Sequence, residues 1–254
     1  MIELLPDLAV LKEFSADTLA MATSVALVAS YYLNFHRRAR RNPACSIHAV
    51  NANARRLWVR QVMTQPGKDV MAVQTLRNFI MVGIMMASTA SLLVMGTLTL
   101  SGQAENIARS WHVLGFLGSS SPGLWIVKVM VLLADFIVAF FGYAMAIRLA
   151  NHVLFMINVP HSDQDAHAGL SPDNVADRLI QAGNMMALGM RAFLFAIPLV
   201  FWLFGPLFLL LATAGLIVTL SQLDRHDVIE PGAAEARPAA SGLAQTLPFR
   251  RRTV

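Results

Sequence analysis

Residues 124–147 read LWIVKVMVLLADFIVAFFGYAMAI, an apolar run interrupted only by Lys128 and Asp135. Wound as an α-helix it rises about 36 Å, enough to cross the roughly 30 Å hydrocarbon core of a bilayer. Three further stretches of similar character, 18–35, 79–100 and 192–220, lie on either side of it. Together they predict an all-α polytopic membrane protein with about four transmembrane helices, one membrane domain over residues 1–227.

Composition agrees. Apolar residues make up 56% of the chain and charged residues 14%, against about 25% charged in typical soluble domains. The charges that remain collect in loops, so the net charge of +5 reads as a topological signal. Nucleic acid is excluded as a partner, because no basic face on a soluble fold carries groups that reach bases. The single cysteine, Cys45, excludes an intrachain disulfide and any CxxC site.

The N-terminus does not read as a cleaved signal: Glu3, Asp7, Glu13 and Asp17 face a lone Lys12 where a secretory signal is basic. The first span closes on Tyr31 and Tyr32, and His36-Arg37-Arg38-Ala39-Arg40-Arg41 follows at once. Nine Arg or Lys fall between His36 and Asn78, whereas 101–123 holds only Arg109. The positive-inside rule then expects the N-terminus outside, both basic loops in the cytoplasm and the C-terminus outside. That last assignment strands Arg225 and Arg250-Arg251-Arg252 on the outer face.

The fourth stretch carries Gly205-Pro206 near its middle and Pro198 two turns earlier. Each proline removes a backbone donor and frees the carbonyl four residues back, at Leu194 and Trp202. A kinked span is favoured over a helical hairpin that dips in and returns, since neither half of 192–220 is long enough to cross alone.

The basic loops look helical. Ser46 can cap a helix through Met63, with Ile47, Val50, Ala54, Leu57 and Val62 on one stripe and Asn51, Arg55 and Arg60 elsewhere. Two readings stand: a basic amphipathic helix in the headgroup layer anchored by Trp58, or a helix packed on other cytoplasmic segments. Pro66-Gly67 breaks the chain, and Asp69 begins a stretch that extends the second span. Ser171-Pro172-Asp173-Asn174 is a helix start, with a capping hydroxyl, proline at the first position and an acid in the first turn. Small-residue ridges Gly83/Ala87/Ser91 and Gly142/Ala146/Ala150 mark faces where helices approach closely in lipid. Residues 228–254, rich in Pro, Gly and Ala, read as a disordered tail.

Several short motifs resemble a family of bacterial and plant membrane proteins known as domain of unknown function 599. They are Trp58-Val59, Met71-Ala72-Val73-Gln74-Thr75-Leu76-Arg77-Asn78 with Ser88-Thr89, Trp125-Ile126-Val127-Lys128, Arg148 with Asn151-His152-Val153, Val159-Pro160, Met190-Arg191-Ala192-Phe193 and Trp202-Leu203-Phe204-Gly205-Pro206. The resemblance spans residues 18 to 225. It implies a polytopic membrane protein of about four spans with no established activity; the location expected is the bacterial cytoplasmic membrane. Asp135 is not part of the resembling pattern; Lys128 is.

Three constellations bear chemistry. Asp135 lies near the midpoint of its span, where a carboxylate costs about 2.5–3.5 kcal/mol on insertion scales and by default marks a proton or ion pathway. Lys128 sits seven residues earlier on the same face and is expected to snorkel to the outer interface. Ser88, Thr89, Ser91 and the Trp202 carbonyl are the partners expected for Asp135 at matching depth. Secondly, Arg77 with Asn78, Arg148 with Asn151, and Arg191 sit at the basic ends of three spans. Alternating topology brings these guanidinium groups to one depth, where they offer a bidentate site for an anionic lipid. Thirdly, His161-Ser162-Asp163-Gln164-Asp165-Ala166-His167 alternates four metal-capable side chains but reads as a solvated loop. No phosphate loop, HExxH, nucleophile elbow or helical carboxylate pair is present.

The expectation is therefore a non-enzymatic membrane component without cofactor or metal. It binds membrane lipid or a protein partner at the arginine layer. The alternative is a small proton- or ion-coupled transporter or channel component using Asp135 and Lys128. Four spans make a thin transporter, so that alternative calls for a homo-oligomer or other membrane subunits.

Overall fold

The computed structural model describes residues 4–41, 47–103, 122–159 and 168–225. Every element among the described residues is helical: α1 (Leu4–Arg41), α2 (Ile47–Thr64), α3 (Asp69–Gly102), α4 (Pro122–Met156), a 3-10 turn (Ala168–Leu170), α5 (Pro172–Phe204) and α6 (Pro206–Arg225). Segments within α1, α3, α4 and α5 are long and apolar enough to cross a membrane. The cap expected at Ser46, the 161–167 loop and the 228–254 tail lie outside the described residues.

Length explains the architecture. α3, α4 and α5 have 34, 35 and 33 residues, so each is about 50 Å long against a hydrocarbon core of roughly 30 Å. The surplus projects at one end, where α2 closes the bundle. There Val59, Val62 and Met63 of α2, Ala72 and Leu76 of α3, Val153 beside Ile157, and Val175, Ala176 and Leu179 of α5 form one apolar cluster. A second cluster, midway along, joins Ala87, Ala90, Ala139, Tyr143 and Ala192. The third, at the far end, unites α1, α4, α5 and α6 around Trp125, Phe136, Trp202 and Leu209.

Small residues set the spacing of α3, α4 and α5. A Cβ placed on Gly142 would lie 2.9 Å from the Gly189 backbone nitrogen, and one on Gly83 would lie 2.8 Å from Ile147 and 3.2 Å from Met186. Without a hydrophobic drive between helices in lipid, close backbone approach is what holds such an interface. Gly142, Ala146 and Ala150 are all buried, as their spacing predicts. On α3 the ridge runs Gly83, Ala87, Ala90, and Ser91 faces outward, because α4 and α5 wrap the adjacent side.

The fourth apolar stretch differs from expectation. α5 is not confined to residues beyond 192: it begins at Pro172, where the Ser171 side chain accepts a hydrogen bond from the Asn174 amide at 3.4 Å and Asp173 sits in the first turn. The helix stops at Gly205, whose φ of 147° is a conformation other residues seldom adopt. Pro206 then starts α6, which folds back along α5, so that Leu194, Ile197 and Phe201 face Phe208, Ala212 and Gly215 across an apolar groove. The kinked-span expectation fails because α5 draws its length from the stretch before Arg191, leaving the apolar half after Gly205 free to return. α6 therefore ends toward the α2 end of the bundle.

α2 resolves the two readings left open. It packs on α5, and of the expected stripe Val62 alone is buried among the described side chains. Val59, Val62 and Met63 are buried, while Val50 and Leu57 are 54% and 57% exposed. The arginines turn toward α5, which supplies their partners at the surface. Arg60 donates to Asp173 Oδ1 from Nε at 3.0 Å and Nη2 at 2.7 Å, and Arg56 pairs with Asp177. The guanidinium of Arg55 lies on Gly183, where a Cβ would overlap it, and desolvation there lowers its pKa.

Candidate functional site: an intramembrane polar seam

Two charged side chains meet near the far end of the bundle. Lys128 Nζ of α4 lies 2.9 Å from Asp17 Oδ2 of α1, and both side chains are only 2% exposed. Trp202 of α5 completes the group. Its indole Nε1 donates to Asp17 Oδ1 at 3.2 Å, and its ring centroid lies 5.4 Å from Lys128 Nζ, within cation–π range. An isolated buried charge is prohibitively costly, whereas a pair with further hydrogen bonds is tolerated. Lys128 therefore does not snorkel. Its charge is held by an acid that the sequence placed among the polar residues preceding the first span.

Asp17 and Ser24 are seven residues apart on α1; Lys128 and Asp135 are seven apart on α4. Seven residues are close to two helical turns, about 10 Å of rise. The contact at Asp17–Lys128 therefore fixes a second polar layer directly beneath the first. That layer borders a cavity of about 380 Å³ between α1, α4, α5 and α6, lined by Ser24, Asp135, Pro198 and Thr213 among apolar neighbours. Thr213 Oγ1 donates to the Leu209 carbonyl at 2.7 Å. Ser24 Oγ and Asp135 Oδ2 are buried and make no hydrogen bond.

These are not the partners expected for Asp135. Ser88, Thr89 and Ser91 are exposed on α3, and Thr89 returns its hydroxyl to the Met85 carbonyl at 2.9 Å. The Trp202 carbonyl is likewise taken, by the Gly205 amide at 3.1 Å. Asp135 instead faces the opposite side of α4, toward α1 and α6. The sequence signal for this was the shared seven-residue spacing of polar residues in the first and third spans.

The arginine layer is staggered. Gly83, Ile147 and Met186 share a level through their close contact. From the 1.5 Å rise, Arg77 lies about 9 Å from that level toward the α2 end, and Arg191 about 7.5 Å the other way. Arg77, Asn78, Arg148 and Asn151 are exposed, and Arg191 lies over the Tyr32 ring at 5.5 Å. A single guanidinium pocket at one depth is therefore not formed. Among the described residues, no cluster of three His, Cys, Asp or Glu is arranged for a metal.

Comparison with known proteins places the geometry in a family context. The model of a protein family of unknown function, DUF599, matches residues 19–228. No curated protein and no solved structure matches the chain. Asp17 stands two residues before the matched stretch, while Lys128 and Trp202 lie within it.

Proposed function

For this chain, which belongs to the DUF599 family, we propose the role of a non-enzymatic, proton-coupled carrier component of the bacterial cytoplasmic membrane. In this reading Asp135 is the proton-binding group. One observation carries it: the buried, unpartnered Asp135 Oδ2 opens on a cavity together with the unpartnered Ser24 Oγ. A carboxylate at membrane depth is expensive and by default functional. Asp17 and Lys128 neutralise one another, so they anchor α1 rather than carry the proton. The basic α2 end is assigned to the cytoplasm by the positive-inside rule, which puts the N-terminus outside and α6 returning inward.

The test uses proteoliposomes enclosing pyranine and clamped with valinomycin and potassium. After an external acid step, wild type is expected to acidify the lumen faster than empty vesicles, and Asp135→Asn to match empty vesicles. Equal rates for wild type and Asp135→Asn refute the reading.

A second reading, headgroup binding, is favoured by the exposure of Arg77 and Arg148, which have no acidic partner among the described residues. It would use single guanidinium–phosphate contacts rather than one pocket. Native mass spectrometry should then show anionic lipid retained by wild type and released by Arg77→Gln or Arg148→Gln. No retained lipid in wild type contradicts it.

A further inference from the structure

The cavity beside Asp135 has features that a proton alone does not require. Its volume of about 380 Å³ falls within the range of small-molecule sites, roughly 300–1,000 Å³. Its walls are apolar except at Asp135, Ser24 and Thr213, and Ser24 is only 5% exposed with its hydroxyl unpartnered. The lining reaches the lipid-facing surface at Val25, which is 55% exposed, so a molecule dissolved in the bilayer can enter sideways. α1 is packed mainly on α6. It is tied across to α4 and α5 by the Asp17–Lys128–Trp202 group at one end and by Tyr32 against Phe195 and Arg191 farther along. The cavity lies between these two ties.

Charge selects the occupant. No other titratable side chain lines the cavity. On α1 the nearest are Asp17, already paired, and Tyr32, whose ring lies under Arg191; on α4 they are Lys128, held by Asp17, and Tyr143, two turns beyond; on α5 it is Arg191 itself. α6 offers only the Thr213 hydroxyl. When ionised, Asp135 has no cation of the protein's own. We infer that this cavity binds a membrane-soluble organic cation, a quaternary or protonated amine with an apolar body, in exchange for the Asp135 proton. The carboxyl O–H breaks, the proton leaves to water, and the cation takes its place beside the carboxylate with Ser24 and Thr213 as flanking oxygens. The inference rests on Asp135 being the working group of the site, and it names the substrate class.

The probe is radiolabelled tetraphenylphosphonium, measured by equilibrium dialysis against the full chain in lipid nanodiscs, with empty nanodiscs subtracted. Tetraphenylborate, the same shape with the opposite charge, is the control. Saturable binding of the cation alone is expected, weakening as pH falls by up to about tenfold per unit as a single proton competes. Asp135→Asn should abolish it. Ser24→Phe, which fills the cavity and keeps the carboxylate, should abolish it too, so the test survives if one variant fails to fold. Binding of both ions alike, retention in both variants, or no saturable binding overturns the inference. Proton flux that depends on Asp135 without cation binding would sink the substrate class and leave the carrier reading standing. Cation binding without such flux would do the reverse.

Discussion

The two sides of this bundle are built on opposite principles. Along α3, α4 and α5, glycines and alanines bring backbones together until a single Cβ would collide. On the α1 and α6 side, apolar residues and two unpartnered oxygens border open space, two turns from one buried ion pair. The first side has one arrangement and resists change. The second holds a charged residue pair only because both partners are present, and keeps room for something else. In a membrane, close backbone approach holds helices together, and a carboxylate left at depth is costly to keep.

The largest way to break the contrast is at the ion pair. Lys128→Met should destabilise the protein by about 3–5 kcal/mol, because Asp17 is left buried and uncompensated. The double variant Asp17→Asn/Lys128→Met should recover most of that loss. Thermal unfolding in mild detergent reads both; a double variant as weak as the single would mean that the pair does not couple α1 to α4. Next comes Gly142→Leu, expected to cost about 1–3 kcal/mol or more, since the obstacle is Gly189 backbone rather than a movable side chain. The same readout applies, and wild-type stability would remove the close approach from the account. Gly183→Ala should cost less than Gly142→Leu, because the Arg55 guanidinium can swing away. The smallest effect belongs to the α2 clamp. Arg60→Gln removes an exposed pair worth about 0.2–1 kcal/mol, and the deficit should fade as salt is raised.

The sequence displayed the membrane helices plainly because hydrocarbon imposes length and apolarity on each span. Capping at Ser171 was legible for the same local reason. Three things were not. Gly205-Pro206 marked a break, but a kink and a reversal share that signature; the outcome depended on α5 reaching back to Pro172. The apolar stripe of α2 suggested one buried face, yet Asp173, Asp177 and Gly183 of a distant helix drew the arginine side against that helix. Asp17 looked like one acid among several before the first span. Only its partner, 111 residues onward, shows that it belongs to the bilayer-buried core.

The most direct measurement is thiol labelling in native membranes, on a chain whose one cysteine is replaced by Cys45→Ser. Single variants Ser24→Cys, Thr213→Cys and Ala139→Cys are exposed to a small, membrane-permeant methanethiosulfonate. Residues 24 and 213 should label and residue 139, wholly buried between α3, α4 and α5, should stay protected. Protection of all three would mean that there is no cavity beside Asp135, and labelling of Ala139→Cys at the same rate would erase the difference between the two sides.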